Sequence, residues 1–201
     1  MNNTVQLIRS DCYRYAAASS TVDVYRQRYI QIGFRYSIVL RKAQAHTSGI
    51  AHYWYRFRLL QLSKKTGLQI GYNATIDAGL FIGHRGTVIV NGKARLGSNI
   101  NLSPGVVIGQ ENRGRRRGVP QLGNRVWVGS NAVIVGGIRI GNDVLIAPNA
   151  YVNFDVPDHS IVIGNPARII HREDATEGYC HNLVPELVPD EEYAVLQGDS
   201  R

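Results

Sequence analysis

The chain holds only two cysteines and one methionine among 201 residues. Cys12 and Cys180 lie far apart, with no CxxC and no Cys/His ligand spacing. That excludes a disulfide framework and a zinc site of the usual kind, and both are read as reduced thiols with no metal expected. Long apolar runs are missing too: nothing approaches the roughly 18 residues that a membrane span needs. The first residues, Met1-Asn2-Asn3-Thr4 followed by Arg9 and Asp11, lack the apolar stretch of a secretory signal, so a cytoplasmic protein is expected. Charged residues make up only 19% against 44% hydrophobic ones, a globular balance and not a disordered one.

Acidic side chains are scarce in most of the chain, and their distribution matters more than the formal total of +8. Residues 171–201 hold two basic and eight acidic residues, a net of −6, which leaves +14 on residues 1–170. A basic body with an acidic tail points to anionic ligands. The pI of about 9.7 raises nucleic acid as a partner. No helix-turn-helix, RNP or zinc-finger pattern accompanies it, and nucleic acid is not expected.

What the chain does have is glycine, 21 residues of it, and a repeat. Aliphatic residues recur every six positions at Ile70, Ile76, Ile82 and Val88, then at Val90, Leu96, Leu102 and Ile108 after a two-residue shift. The series resumes at Leu122 and continues through Val128, Ile134, Ile140, Ile146 and Val152. Gly follows many of them, as in Ile70-Gly71, Leu96-Gly97, Ile108-Gly109, Leu122-Gly123, Val128-Gly129 and Ile140-Gly141. A period of six fits neither a helix nor simple strand alternation. It fits a β-helix: each hexapeptide makes one short side, three sides make a coil, and the aliphatic residue points to the axis. The glycines are expected at corners that need positive φ. An all-β sandwich is the competing reading, but its strands would not keep register over so many aliphatics.

The expected fold class is mostly β, a left-handed parallel β-helix over residues 68–170 with an α-helical N-terminal cap (1–67) and an extended acidic C-terminal tail (171–201). The cap has no hexapeptide register and carries 11 basic residues against Asp11 and Asp23. Ile30, Phe34, Ile38 and Val39, and later Tyr55, Leu59, Leu60 and Leu62, suit the apolar faces of amphipathic helices. Such a cap covers the open edge of the solenoid. The aromatic and basic stretch Tyr53, Trp54, Tyr55, Arg56 and Arg58 suits packing onto the solenoid better than carbohydrate stacking. Val184, Pro185, Leu187, Val188 and Pro189 mark an extended tail that packs on a surface or stays mobile. Between Ile108 and Leu122 eight residues exceed the repeat, so a loop leaves the coil at residues 110–121. Loops on a rigid scaffold are where function concentrates.

Three segments resemble the left-handed β-helix acyltransferases, and within them the serine acetyltransferase-like branch that includes bacterial capsular and exopolysaccharide O-acetyltransferases. They are Ile82-Gly-His-Arg-Gly-Thr-Val-Ile-Val90, Asn112-Arg-Gly-Arg-Arg-Arg-Gly-Val-Pro120, and Val156-Pro-Asp-His-Ser-Ile-Val-Ile-Gly-Asn-Pro-Ala-Arg-Ile-Ile170. An opening of the type Asp11-Cys-Tyr-Arg-Tyr15, with Gly33-Phe34-Arg35 later, adds to it, so that the resemblance covers nearly all of residues 7–170. It implies a homotrimer that binds acetyl-CoA between neighbouring solenoids.

Acyl transfer from a thioester to an alcohol needs a base, and histidine is mostly neutral near pH 7. His84 is the only histidine within residues 68–155 and follows an Ile-Gly corner. The resemblance gives it the role of general base. It also implies oxyanion donors near Gly109, acetyl-CoA contacts at Gly129, Ser130, Ala147 and Pro148, and Arg168 near the CoA phosphates, with a solvated arginine as the plain alternative. Asp11 matches an acceptor-site aspartate by the same resemblance and equally suits a helix N-cap. Arg113, Arg115, Arg116 and Arg117 repel one another and call for an anion, either CoA phosphate or an acidic acceptor.

The sequence departs from the serine-specific pattern: Gln69, Gly83 and Val119 stand where a carboxylate, an aspartate and a second histidine are found. The leading expectation is therefore O-acetylation of a sugar hydroxyl of a surface polysaccharide, with a carbohydrate acceptor. Serine O-acetylation and xenobiotic acetylation are the alternatives. A metal-dependent anhydrase on this fold needs three histidines where the repeats offer one. A non-catalytic scaffold would have no reason to bind acetyl-CoA.

Overall fold

A computed structural model describes residues 3–185. Leu187, Val188 and Pro189 of the expected tail lie outside the described residues. Four helices come first: α1 (Asn3–Ala16), α2 (Thr21–Ile30), α3 (Ile32–Ala45) and α4 (Gly49–Thr66). Fifteen short strands follow and wind into a three-sided parallel solenoid of about five turns.

The first face stacks β1 (Leu68–Ile70), β4 (Val88–Val90), β7 (Val107–Gly109), β10 (Val133–Val135) and β13 (Tyr151–Val152). The second stacks β2 (Thr75–Ile76), β5 (Arg95–Leu96), β8 (Gln121–Leu122) and β11 (Arg139–Ile140). The third stacks β3 (Phe81–Ile82), β6 (Asn101–Leu102), β9 (Val126–Val128), β12 (Val144–Ile146) and β14 (Ser160–Ile163), closed by an antiparallel β15 (Arg168–His171). The register puts one repeat aliphatic above the next, as in Ile76 with Leu96 and Leu102 with Val128. Every repeat aliphatic from Ile70 to Val152 is buried, so the core is a column along the axis, assembled from residues close in sequence.

The glycines sit where the repeat placed them, for a different reason. None of Gly71, Gly83, Gly97, Gly109, Gly123, Gly129 and Gly141 has positive φ. All but Gly83, which faces the Phe81 ring of its own coil, are small because the next coil occupies the space. A Cβ on Gly123 would lie 2.7 Å from Asn142 Oδ1. That oxygen accepts from the Asn124 N–H at 2.8 Å, while Asn124 Oδ1 takes the Ser98 N–H at 2.9 Å and Asp158 Oδ1 takes the Asn142 N–H at 2.7 Å. A side-chain ladder thus satisfies the backbone at the corner between the second and third faces. The left-handed positions of that corner are held by Asn99, Arg125, Asp143 and His159.

The cap closes the first coil through buried polar groups. Asp11 is fully buried and binds Arg41 through both carboxylate oxygens, at 3.0 Å each, and accepts the Leu80 N–H at 2.8 Å. Arg41 in turn donates to the carbonyls of Ile76 and Asp77. Tyr36 Oη takes the Ile70 N–H at 3.1 Å, so the edge that the first coil presents to the cap is bonded. Phe34, Ile38, Leu59 and Leu62 are buried as the pattern expects, but Ile30 and Leu60 are exposed. Of the aromatic and basic stretch, Tyr55 packs against the core and Arg56 lies over the Tyr72 ring, whereas Tyr53, Trp54 and Arg58 are exposed, so the expected packing onto the solenoid holds for only part of it.

After β15 the chain turns back toward the cap. Asp143 accepts from the backbone N–H of Ala175 and Thr176 and from the Thr176 hydroxyl at 2.7 Å. Tyr179 lies 4.9 Å from Trp127, the His181 carbonyl accepts from Arg14, and Val184 and Asn99 exchange two hydrogen bonds. Through residue 185 the tail is a packed strap along the second-to-third corner.

Candidate active site

His84 stands two residues beyond β3, on the corner between the third and first faces, and its side chain is exposed. The corner beneath it is held from the cap. Tyr15 Oη accepts the Ile82 N–H at 2.9 Å and donates to the Ile82 carbonyl at 3.1 Å, so one hydroxyl fixes both backbone groups of the residue two before the histidine. Burial pushes the Tyr15 phenol above its ordinary range and keeps it protonated. The Tyr15 ring packs 4.5 Å from Phe81, and a Cβ on Gly33 would collide with the Ile82 carbonyl oxygen. α3 therefore sits directly on the strand that carries the histidine. Neither role was visible in the sequence. Tyr15 and Gly33 both belong to segments that carry the resemblance, but no spacing links them to residue 82.

The same corner continues through the later coils. Gly105 N–H bonds the Thr87 carbonyl at 2.6 Å, Asn131 N–H bonds Pro104 at 3.0 Å, and Asn149 N–H bonds Ser130 at 2.9 Å. Coils lie about 4.8 Å apart, so Gly129-Ser130 and Ala147-Pro148 follow His84 along one line that reaches about 14 Å at Pro148. Gly129 is buried, and a Cβ there would sit 2.7 Å from Pro148 N. The line is therefore mostly backbone at close approach, suited to a long, thin ligand. Arg168 is exposed at the start of β15, opposite Ile163, where the line ends.

Other expected residues stand elsewhere. Gly109 ends β7 on the first-to-second corner, and the loop leaves from there as a hairpin closed by Glu111 and Gly118. Its contacts run toward later coils: the Arg116 carbonyl accepts from Gly137 at 2.7 Å and the Arg116 guanidinium binds Asn153. Arg113, Arg115, Arg116 and Arg117 are exposed and are not beside His84 of their own chain. Asp11 is removed from the acceptor-binding candidates, since it lies in the interior and both its oxygens are engaged. It is not an N-cap either, because it lies inside α1. Among the described residues no three His, Cys, Asp or Glu side chains converge as a metal site would require, and no helix is long and apolar enough to cross a membrane.

The bacterial transferase hexapeptide pattern of six repeats matches residues 120–153. The segment is built of hexapeptide repeats. The chain is similar to a serine acetyltransferase of Helicobacter pylori, 36% identical over 108 residues, which are 54% of this chain and 63% of that protein. It is 30% identical to a serine acetyltransferase of Staphylococcus aureus over 125 residues, 61% of this chain and 59% of that protein. It thus spans about three fifths of the curated relatives it matches. Among solved structures, the serine acetyltransferase of Neisseria gonorrhoeae in complex with serine aligns with a TM-score of 0.66 and 28% identity, covering 83% of this chain and 69% of that one. These likenesses overturn the expectation of a polysaccharide acceptor: the relatives and neighbours are serine acetyltransferases, not polysaccharide O-acetyltransferases.

Proposed function

We propose that this protein is an acetyl-CoA-dependent serine O-acetyltransferase that works as a homotrimer. The observation that carries the reading is the single corner line on which His84 is followed by the backbone at Gly129-Ser130 and Ala147-Pro148. The likeness to serine acetyltransferases supports serine as the acceptor. His84 accepts the proton of the serine hydroxyl as that oxygen bonds to the thioester carbonyl carbon. It then delivers the proton to the sulfur as the carbon–sulfur bond breaks. The corner backbone along the later coils holds the pantetheine arm, and Arg168 meets a CoA phosphate. In a trimer the arginine hairpin of one chain faces the His84 corner of the next, so a site divided between two corners in one chain is completed by its neighbour.

The absence of side chains at Gly83 and of charge at Gln69 and Val119 means that this chain must bind the acceptor's ammonium and carboxylate with other groups. A raised KM for L-serine is the expected consequence. Thiol release from acetyl-CoA in the presence of free L-serine tests the reading. His84→Asn should lower kcat by about 10²–10⁴, the usual weight of a general base. Turnover that is unchanged in His84→Asn would sink the assignment, as would a wild-type protein that releases no thiol with serine. Sedimentation as a monomer would remove the shared site.

A further inference from the structure

The surface of α4 does not suit water. Ile50, Tyr53, Trp54, Phe57 and Leu60 recur at helical spacing along one face and are 90%, 73%, 54%, 53% and 52% exposed. The opposite face, through Leu59 and Leu62, already packs on the core, so the helix is apolar on two sides and only one has a partner. Contiguous exposed apolar surface of this kind marks an interaction site.

Charge identifies the occupant. From residue 24 to residue 76 the chain contains nine Lys and Arg and no Asp or Glu. Arg41 is consumed by Asp11, but Arg58, Lys64 and Lys65 on α4 itself are exposed. A second copy of this face would bring like charges together around its apolar centre, which disfavours self-association. An anionic surface with an apolar interior satisfies both halves. Aromatic and aliphatic side chains enter the acyl boundary while the basic ones reach headgroup phosphates.

We infer that the exposed face of α4 docks on anionic phospholipid membranes, holding the protein at a bilayer surface. The evidence for this is separate from that for acetyl transfer, because none of these residues belongs to the corner line of His84.

The test is co-sedimentation of the full-length protein with vesicles of phosphatidylglycerol and phosphatidylcholine, against vesicles of phosphatidylcholine alone. Binding to the anionic vesicles that falls as salt rises is expected. Replacing Arg58, Lys64 and Lys65 by Gln should weaken it by about fivefold for each charge removed. The triple variant Tyr53→Ser, Trp54→Ser, Phe57→Ser should lose binding while retaining its circular dichroism and thiol release. In a Trp127→Phe protein, where Trp54 is the only tryptophan, emission should shift to the blue and be quenched by brominated phosphatidylglycerol. Three results would overturn the inference. These are no binding to anionic vesicles at low salt, equal binding by the serine variant, and a wild-type oligomer that dissociates when the three aromatics are replaced. The last would make the face a contact between copies.

Discussion

Tyr15 illustrates how a residue of the cap fixes the backbone beneath His84. Its hydroxyl is shared between the N–H and the carbonyl of Ile82, two residues before His84. Tyr15→Phe keeps the ring against Phe81 but leaves two buried backbone groups without that partner. A loss of about 1–3 kcal/mol in urea unfolding is expected. A fall in kcat with little change in the KM for acetyl-CoA should accompany it, because the corner moves and the later coils do not. Asp11 behaves differently. Asp11→Ala strands Arg41 as a buried, unpaired charge, and about 3–5 kcal/mol of stability should go with it. A selective rise in the KM for serine with normal stability would instead return Asp11 to the acceptor site. At this scale the position of His84 was legible, since a lone histidine in a repeat of aliphatic and small residues stands out, and its role is what the His84→Asn variant tests. Asp11 was misread and the role of Tyr15 missed, because their partners Arg41 and Ile82 lie 30 and 67 residues away, beyond any local pattern.

The coil is the element that the hexapeptide spacing specified almost completely. Each inward aliphatic needs only its counterpart about one coil further along, so period and burial agree from Ile70 to Val152. What spacing did not reveal is how corners are satisfied. The Asn124–Asn142–Asp158 ladder needs a glycine beneath each oxygen, and Gly123→Ala puts a methyl group 2.7 Å from Asn142 Oδ1. About 1–3 kcal/mol should be lost, as in other overpacked sites, and calorimetry would register a lower Tm. The C-terminal strap shows a different dependence. Burial of Asp143 opposes its charge, but hydrogen bonds from Thr176, His159 and Ala175 outweigh this and hold its carboxyl below the usual carboxylate range. A depressed folded value gives stability that is present above the unfolded pKa of about 3.9 and lost as pH falls through the folded one. The strap should stay closed at pH 7 and loosen below about pH 4, with proteolysis near residues 173–180 as the readout. Asp143→Asn should release it at neutral pH, and a strap equally resistant in that variant would contradict the assignment.

For the whole molecule, charge and shape divide the labour. The cap supplies basic and aromatic surface, the solenoid supplies a rigid corner line, and the returning segment braces the opposite corner. The excess of positive charge was readable from the sequence, but its destination was not. The arginine hairpin occupies a different corner from His84, and Arg58, Lys64 and Lys65 share α4 with an exposed apolar face. A count of charges does not report on which side of a coil they emerge. The acceptor was misread for a related reason. Missing groups at Gln69, Gly83 and Val119 suggest a sugar, whereas the likeness of the chain lies with serine acetyltransferases. The decisive measurement is the product. Incubated with acetyl-CoA and free L-serine, the wild-type protein should yield O-acetylserine, identified by mass, in step with thiol release, and His84→Asn should yield almost none. Thiol release without acetylserine, or acetylserine formed equally by both proteins, would contradict the account.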